Sequence, residues 1–96
     1  MSEHIPFTDY SGSITDGGTA QDVYTGAQAP KRGFEFYNTS DTAMIIDFGV
    51  DAAAATGIPV PAGACHYQPG PAGVVPTGRM SVLCATTGKT FTCKNF

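Results

Sequence analysis

The sequence predicts an all-β fold, a small antiparallel β-sandwich or jelly-roll-like barrel of seven to eight short strands with an N-terminal arm. Three observations carry this. Glycine (12 residues) and proline (7) punctuate the 96-residue chain at short intervals, as tight turns between strands require. Threonine, valine, phenylalanine and tyrosine fill the intervals, and these side chains suit a pleated, half-buried surface. Helical periodicity over ten or more residues is absent; "VDAAAAT" (50–56) allows one helical turn at most, bounded by Gly49 and Gly57. A chain of this length forms one domain and buries roughly two-thirds of the surface it exposes when unfolded.

Residues 1–11 read as an arm and residues 12–96 as the β-sandwich domain. In the arm, Ile5, Phe7 and Tyr10 stand out from a polar background with Pro6 between them. Two readings are balanced: a strand packing on its own domain, or an arm lying across a neighbouring subunit. "GSIT" (12–15) leads through a turn at Asp16-Gly17-Gly18 to "AQDVYT" (20–25). "GFEFYN" (33–38) and "AMIIDFG" (43–49) follow, with the polar break "TSDT" expected to close a hairpin between them. "GIPV" (57–60) and "ACHYQ" (64–68) flank Pro61-Ala62-Gly63, and Pro59 and Pro61 place the first of these at a sheet margin. Residues 57–78 hold five of the seven prolines, and "QPGPAG" reads as a rigid loop tip. "RMSVLCAT" (79–86) and "TFTCKN" (90–95) complete the strands.

Alternation assigns faces. Phe34 and Phe36 share one side with Asn38, and Met44, Ile46 and Phe48 share one side of the next strand. These five apolar residues form a core face. The opposite face of the expected hairpin mixes Tyr37 and Ile45 with Glu35 and Asp47, as suits a sheet whose outer side meets a partner over part of its area. Ile5, Phe7, Tyr10, Tyr37 and Ile45 are therefore the candidate subunit-interface residues.

Charge points the same way. Charged residues are 14% of the chain, against about 25% in an average soluble domain. The net charge is −3, and only Lys31 and Arg32 are adjacent cations, which leaves no basic track for nucleic acid. The apolar run "AMIIDFGVDAAAA" is broken by Asp47 and Asp51 and is too short to span a bilayer. "MSEHIPFTDY" lacks the basic region and apolar stretch of a signal peptide, so none is expected.

Chemistry is sparse. Cys65 and His66 are adjacent, so in a strand they face opposite ways, which defeats a shared metal or a Cys–His nucleophile. Cys65, Cys84 and Cys93 have no paired spacing of the kind zinc sites use, and the odd count argues against a disulfide framework. Asp47 and Asp51 are separated by Gly49 and read as solvated acids rather than a catalytic pair. No nucleophile elbow or phosphate loop is present. The sequence predicts no enzyme, no metal and no cofactor. "NTS" (38–40) matches a glycosylation acceptor but is better explained as turn chemistry.

The order of elements resembles small virion proteins of tailed bacteriophages. The likeness runs over residues 12–95 through "GGTAQDVYTG", "KRGFEFYNTSDTAMIIDFG", "GIPVPAGACHY" and "PTGRMSVLCATTGKTFT". Its strongest parts are the "NTSD" break and the closing "PTG…SV…ATTGKTFT". The resemblance implies a sandwich or jelly-roll module that decorates or cements a capsid or serves as an accessory part of a tail or fibre. It implies a virion protein made in the bacterial cytoplasm, partnered by its own copies, as a trimer, and by the major capsid protein. Nucleic acid and membrane are not expected partners. The alternative is a tail or fibre module binding host glycan through Tyr24, Tyr37 and Tyr67.

If Gly88-Lys89 makes a two-residue turn, Thr87 pairs with Thr90 and Cys84 lies opposite Cys93 in one hairpin. If Thr87-Gly88 makes it, the two cysteines are diagonal neighbours. Either way Val82, Cys84, Phe91 and Cys93 face the core. Free thiols are expected in a phage protein assembled in a reducing cell, with a Cys84–Cys93 disulfide formed after lysis as the alternative.

Overall fold

A computed structural model describes residues 8–28, 33–69 and 78–96, the last four of the middle stretch by backbone only. Among the described residues there are nine strands: β1 Thr8–Asp9, β2 Gly12–Ser13, β3 Gln21–Tyr24, β4 Gly33–Asn38, β5 Met44–Phe48, β6 Ile58–Val60, β7 Cys65–Pro69, β8 Met80–Cys84 and β9 Thr90–Asn95. One sheet has the order β1-β9-β4-β7, with β2 also on β9; the other has the order β3-β8-β5-β6. All pairings are antiparallel.

The two sheets are wound from a single doubled ribbon. Strand β2 pairs with β9, β3 with β8, β4 with β7 and β5 with β6. Thr8 lies opposite Asn95, Gln21 opposite Val82, Phe34 opposite Gln68 and Met44 opposite Val60. The midpoint of each pair falls at residues 51–52, so the chain is one long hairpin with its tip in the loop after β5. Successive pairs along the ribbon go to alternate sheets until the tip. That is the winding of a jelly roll.

Most strands match their sequence spans within a residue or two, but the pairing differs from expectation at both expected hairpins. Strands β4 and β5 belong to different sheets, as do β8 and β9. The polar break 39–42, with Ala43, therefore carries the chain from one sheet across to the other. The same holds for 85–89, so neither register considered for a Cys84–Cys93 hairpin forms. Face assignments survive this change, because alternation fixes which side of a strand is apolar but not which strand lies beside it. Phe34, Phe36, Met44 and Ile46 are fully buried, and Phe48 packs on them half-buried.

The core fills the space between the sheets. Phe36 and Phe91 are diagonal neighbours on one sheet and stack with centroids 5.4 Å apart. Phe34 meets Phe48 edge-on at 5.3 Å, and Tyr10 meets Tyr24 at 5.5 Å, both pairs crossing between sheets. Each such aromatic contributes about 1.5–3 kcal/mol through burial. Of residues 1–11, expected as an arm, 8–11 are described, and they lie along β9 of their own domain. Thr8 and Asp9 pair with β9, the Tyr10 amide donates to Cys93 O at 2.8 Å, and the Ser11 hydroxyl accepts from the Cys93 amide.

Proline placement follows from donor chemistry. Strand β6 is the edge of its sheet, and Pro59 there has no amide hydrogen to leave unpaired. The alanine-rich tip makes one turn, with the amides of Thr56 and Gly57 both donating to Ala53 O.

Candidate interaction surface

The two outer faces of the sandwich differ in character. On the β4–β9 sheet the outward positions are Glu35, Tyr37, Thr92 and Lys94, paired across the two strands. Tyr37 is exposed, and its hydroxyl donates to Glu35 Oε2 at 3.4 Å. This face is polar.

The outer face of the β3-β8-β5-β6 sheet carries a row of apolar side chains in register. Leu83 lies opposite Ile45, and Ile45 lies opposite Pro59. Their chain neighbours Val82, Cys84, Met44, Ile46 and Val60 point into the core, so alternation sends this row outward. Part of the face is roofed by the ribbon tip. Ala52 is buried there, its amide donating to Ser81 Oγ at 2.8 Å while that hydroxyl donates to Val50 O at 2.7 Å. Gly57 passes so close that a Cβ on it would sit 2.2 Å from Ile45 Cγ2. Only glycine allows the roof to lie this low.

The roof covers the row only in part, and Ile45 and Leu83 are half-buried beneath it. Ile45 and Leu83 floor a pit of about 280 Å³ walled by Gly18, Ala43, Ala54 and Ala85. The walls are small because these positions carry no side chain beyond a methyl group. An outward isoleucine and leucine in register were legible from alternation, but the pit was not. Its walls come from three separate turns and from the tip.

Ion pairs engage every arginine and lysine among the described residues. Arg79 bridges Asp22 at 2.6 Å and Asp51 at 2.9 Å, Lys89 holds Asp41 at 2.8 Å, and Lys94 reaches Asp9 at 3.5 Å. The hydrogen bond from Lys89 keeps the Asp41 carboxyl below its usual range, and two hydrogen bonds from Ser11 do the same for Asp9. The described cations are thus all engaged within the chain, and the outer row beside the pit is neutral.

The candidate interface residues that are described, Tyr10, Tyr37 and Ile45, do not form one patch. Ile5 and Phe7 lie outside the described residues. Tyr10 is half-buried against Tyr24. Tyr37 and Ile45, expected on one face of a hairpin, lie on opposite outer faces of the sandwich because their strands occupy different sheets. Cys84 and Cys93 are buried in facing sheets as free thiols, and Cys65 is an exposed free thiol. Burial pushes the Cys93 thiol up to about 12.

Asn38 accounts for the "NTS" tripeptide. Its amide nitrogen donates to Thr42 O at 2.8 Å and to Val60 O at 2.9 Å, and its oxygen accepts from the Ser40 amide and hydroxyl. Buried in this way, it is a corner post and presents no free amide. Among the described residues no three His, Cys, Asp or Glu side chains converge as a metal site would require. Among them, no helix is long and apolar enough to cross a membrane. Searches of family models, curated proteins and solved structures find no match to this chain.

Proposed function

We propose that this protein is a structural part of a tailed-bacteriophage virion, a capsid decoration or cement protein that stabilises the shell by burying apolar surface across subunits. The observation that carries the reading is the apolar row Leu83–Ile45–Pro59 on an outer sheet face. Outward positions of a sandwich are polar when water covers them; the chain's own tip covers part of this row, and the remainder of half-buried Ile45 and Leu83, with exposed Pro59, gives a neighbouring protein an area to cover. The jelly-roll winding supports the same reading, since capsid proteins use it widely; so does the resemblance of the element order to small virion proteins. Binding to the assembled shell and not to its free subunits would stabilise the assembled state by mass action. In this role the protein has no catalytic residues and needs no cofactor; its partners are its own copies and the major capsid protein.

The test is stoichiometry in purified particles, together with binding to shells stripped of this chain. Hundreds of copies per particle and raised shell melting temperature are expected. A few copies would instead favour the tail or fibre role. The glycan-binding form of that alternative loses one of its three tyrosines, because Tyr24 is 2% exposed and offers no ring face to a sugar.

A further inference from the structure

We infer that the ribbon tip is a strap that opens from the outer face while both sheets stay folded, with the Ser81 hydroxyl as its catch. The inference deepens the preceding reading and rests on it for purpose, because the strap governs access to the Leu83–Ile45–Pro59 row.

The strap runs over residues 50–56 between two glycines. Gly49 holds φ at +78°, a conformation that residues with side chains rarely adopt, and it turns the chain back over the sheet just left. Gly57 closes the other end. Glycines at both ends let a segment swing while the strands beside it stay in place. Inside the strap the hydrogen bonding is its own, since the Thr56 and Gly57 amides both donate to Ala53 O, at 3.2 and 2.8 Å. That turn survives opening.

Little apolar burial holds the strap down. Residues 50, 51 and 53–56 are exposed, and Ala52 alone of the seven is buried. The hold is polar instead. The Ala52 amide donates to Ser81 Oγ at 2.8 Å, and the Ser81 hydroxyl donates to Val50 O at 2.7 Å. Asp51 adds an ion pair to Arg79 at 2.9 Å, but its side chain is 76% exposed, where water and salt screen the pair. Ser81 stands in register with Asp22 and Asp47 on the outward side of β8, yet it is fully buried. The strap is what buries it, and one hydroxyl serves two of the strap's backbone groups.

What lies beneath and beside the strap is apolar. Ala54 walls the pit floored by Ile45 and Leu83, and Gly57 lies against Ile45. Lifting the strap removes that wall and joins the pit to the rest of the row. A neighbouring protein that covers the whole row binds the open form, so closure weakens its apparent affinity in proportion to the fraction open.

Two measurements on the full chain test this. In native-state hydrogen exchange, the Ala52 amide should exchange through a local opening, faster than Val82 and Ile46 and with little dependence on dilute urea. Ser81→Ala should speed Ala52 exchange by about tenfold or more, because both hydrogen bonds of the catch are lost. For the second, Ser81→Cys places a thiol under the strap, with Cys65→Ser removing the exposed one. The buried Cys84 and Cys93 are the internal reference. Alkylation followed by mass spectrometry should modify the new thiol well before those two. The strap is overturned if Ala52 is as protected as Val82 with the same urea dependence, or if all three thiols react in step. Unchanged Ala52 exchange in Ser81→Ala overturns the catch. Binding to stripped shells is read separately: its failure removes the virion assignment and leaves the exchange and labelling results standing.

Discussion

At the end of the sandwich where the turns gather, the buried Asn38 side chain makes four hydrogen bonds, to Thr42, Val60 and twice to Ser40. At the other end, the Tyr24 hydroxyl is equally buried and has no hydrogen-bond partner. Its neighbour Asn95 turns its amide to Gln28 O instead, at 3.0 Å. The two groups are buried for different reasons. Asn38 stands where the chain leaves one sheet for the other, and its amide replaces the backbone ladder that stops there. Tyr24 is buried for its ring, which packs on Tyr10, and the hydroxyl is carried in with it. A buried polar group specifies a fold when its partners are in place, and otherwise it only costs stability.

The largest expected effect follows from removing the satisfied group. Asn38→Ala leaves Val60 O and the Ser40 amide short of a partner, while Thr42 O keeps the Ser40 hydroxyl, and it should lower unfolding free energy by roughly 2–4 kcal/mol, since each buried orphan costs about 1–3 kcal/mol. Urea denaturation monitored by circular dichroism measures it; a loss under 1 kcal/mol would remove Asn38 as the corner post. Next comes alkaline sensitivity at the Tyr24 end. An ordinary thiol titrates at 9.0, but burial holds Cys93 neutral up to about 12. The unfolded chain thus loses a proton that the folded chain keeps. Stability from this group is complete below pH 9 and falls between pH 9 and 12, by up to about 1.4 kcal/mol per pH unit. Burial also raises the Tyr24 phenol, with the adjacent Cys93 adding to the shift, which steepens the decline. Comparing denaturation at pH 8 and pH 11 for the parent and Cys93→Ala checks this: the variant should show the shallower fall.

The third prediction has the opposite sign from the first. Tyr24→Phe keeps the ring and removes the orphan hydroxyl, so it should stabilise the protein by about 1 kcal/mol. A destabilisation of similar size would mean that the hydroxyl has a partner, and the contrast between the two ends would vanish. The smallest effect belongs to the surface. Arg79→Ala removes the bridges to Asp22 and Asp51, whose side chains are 49% and 76% exposed. It should cost less than about 1 kcal/mol, with the difference shrinking in high salt. A thermal melt at low and high ionic strength resolves it.

The strands and their faces were legible in the sequence because both are local. Residues 33–38 and 90–95 match their observed strands end to end, and the alternation of Phe34, Phe36, Met44 and Ile46 pointed them at the core. Strand partners were not legible. "TSDT" has the turn chemistry of a hairpin, yet the same residues make a crossing between sheets once Asn38 ties the corner to Val60. One signal was available: an asparagine on the core face of an otherwise aromatic strand asks for buried partners, which a simple hairpin does not supply. On the interaction surface, Ile45 was visible as an outward apolar residue, whereas the pit beside it was not. Alanine and glycine at four distant positions carry no local pattern.

The shared midpoint of the doubled ribbon bears on how the molecule is made. Joining Thr8 to Asn95 directly would close nearly the whole chain in one step, at a high entropic cost. Once β5 has met β6 around the tip, only short stretches stay slack before β4 can meet β7, and likewise for each pair outward. Loop-closure entropy thus favours assembly as a zipper from the middle of the chain to its ends, with the edge where β1 meets β9 fastening last.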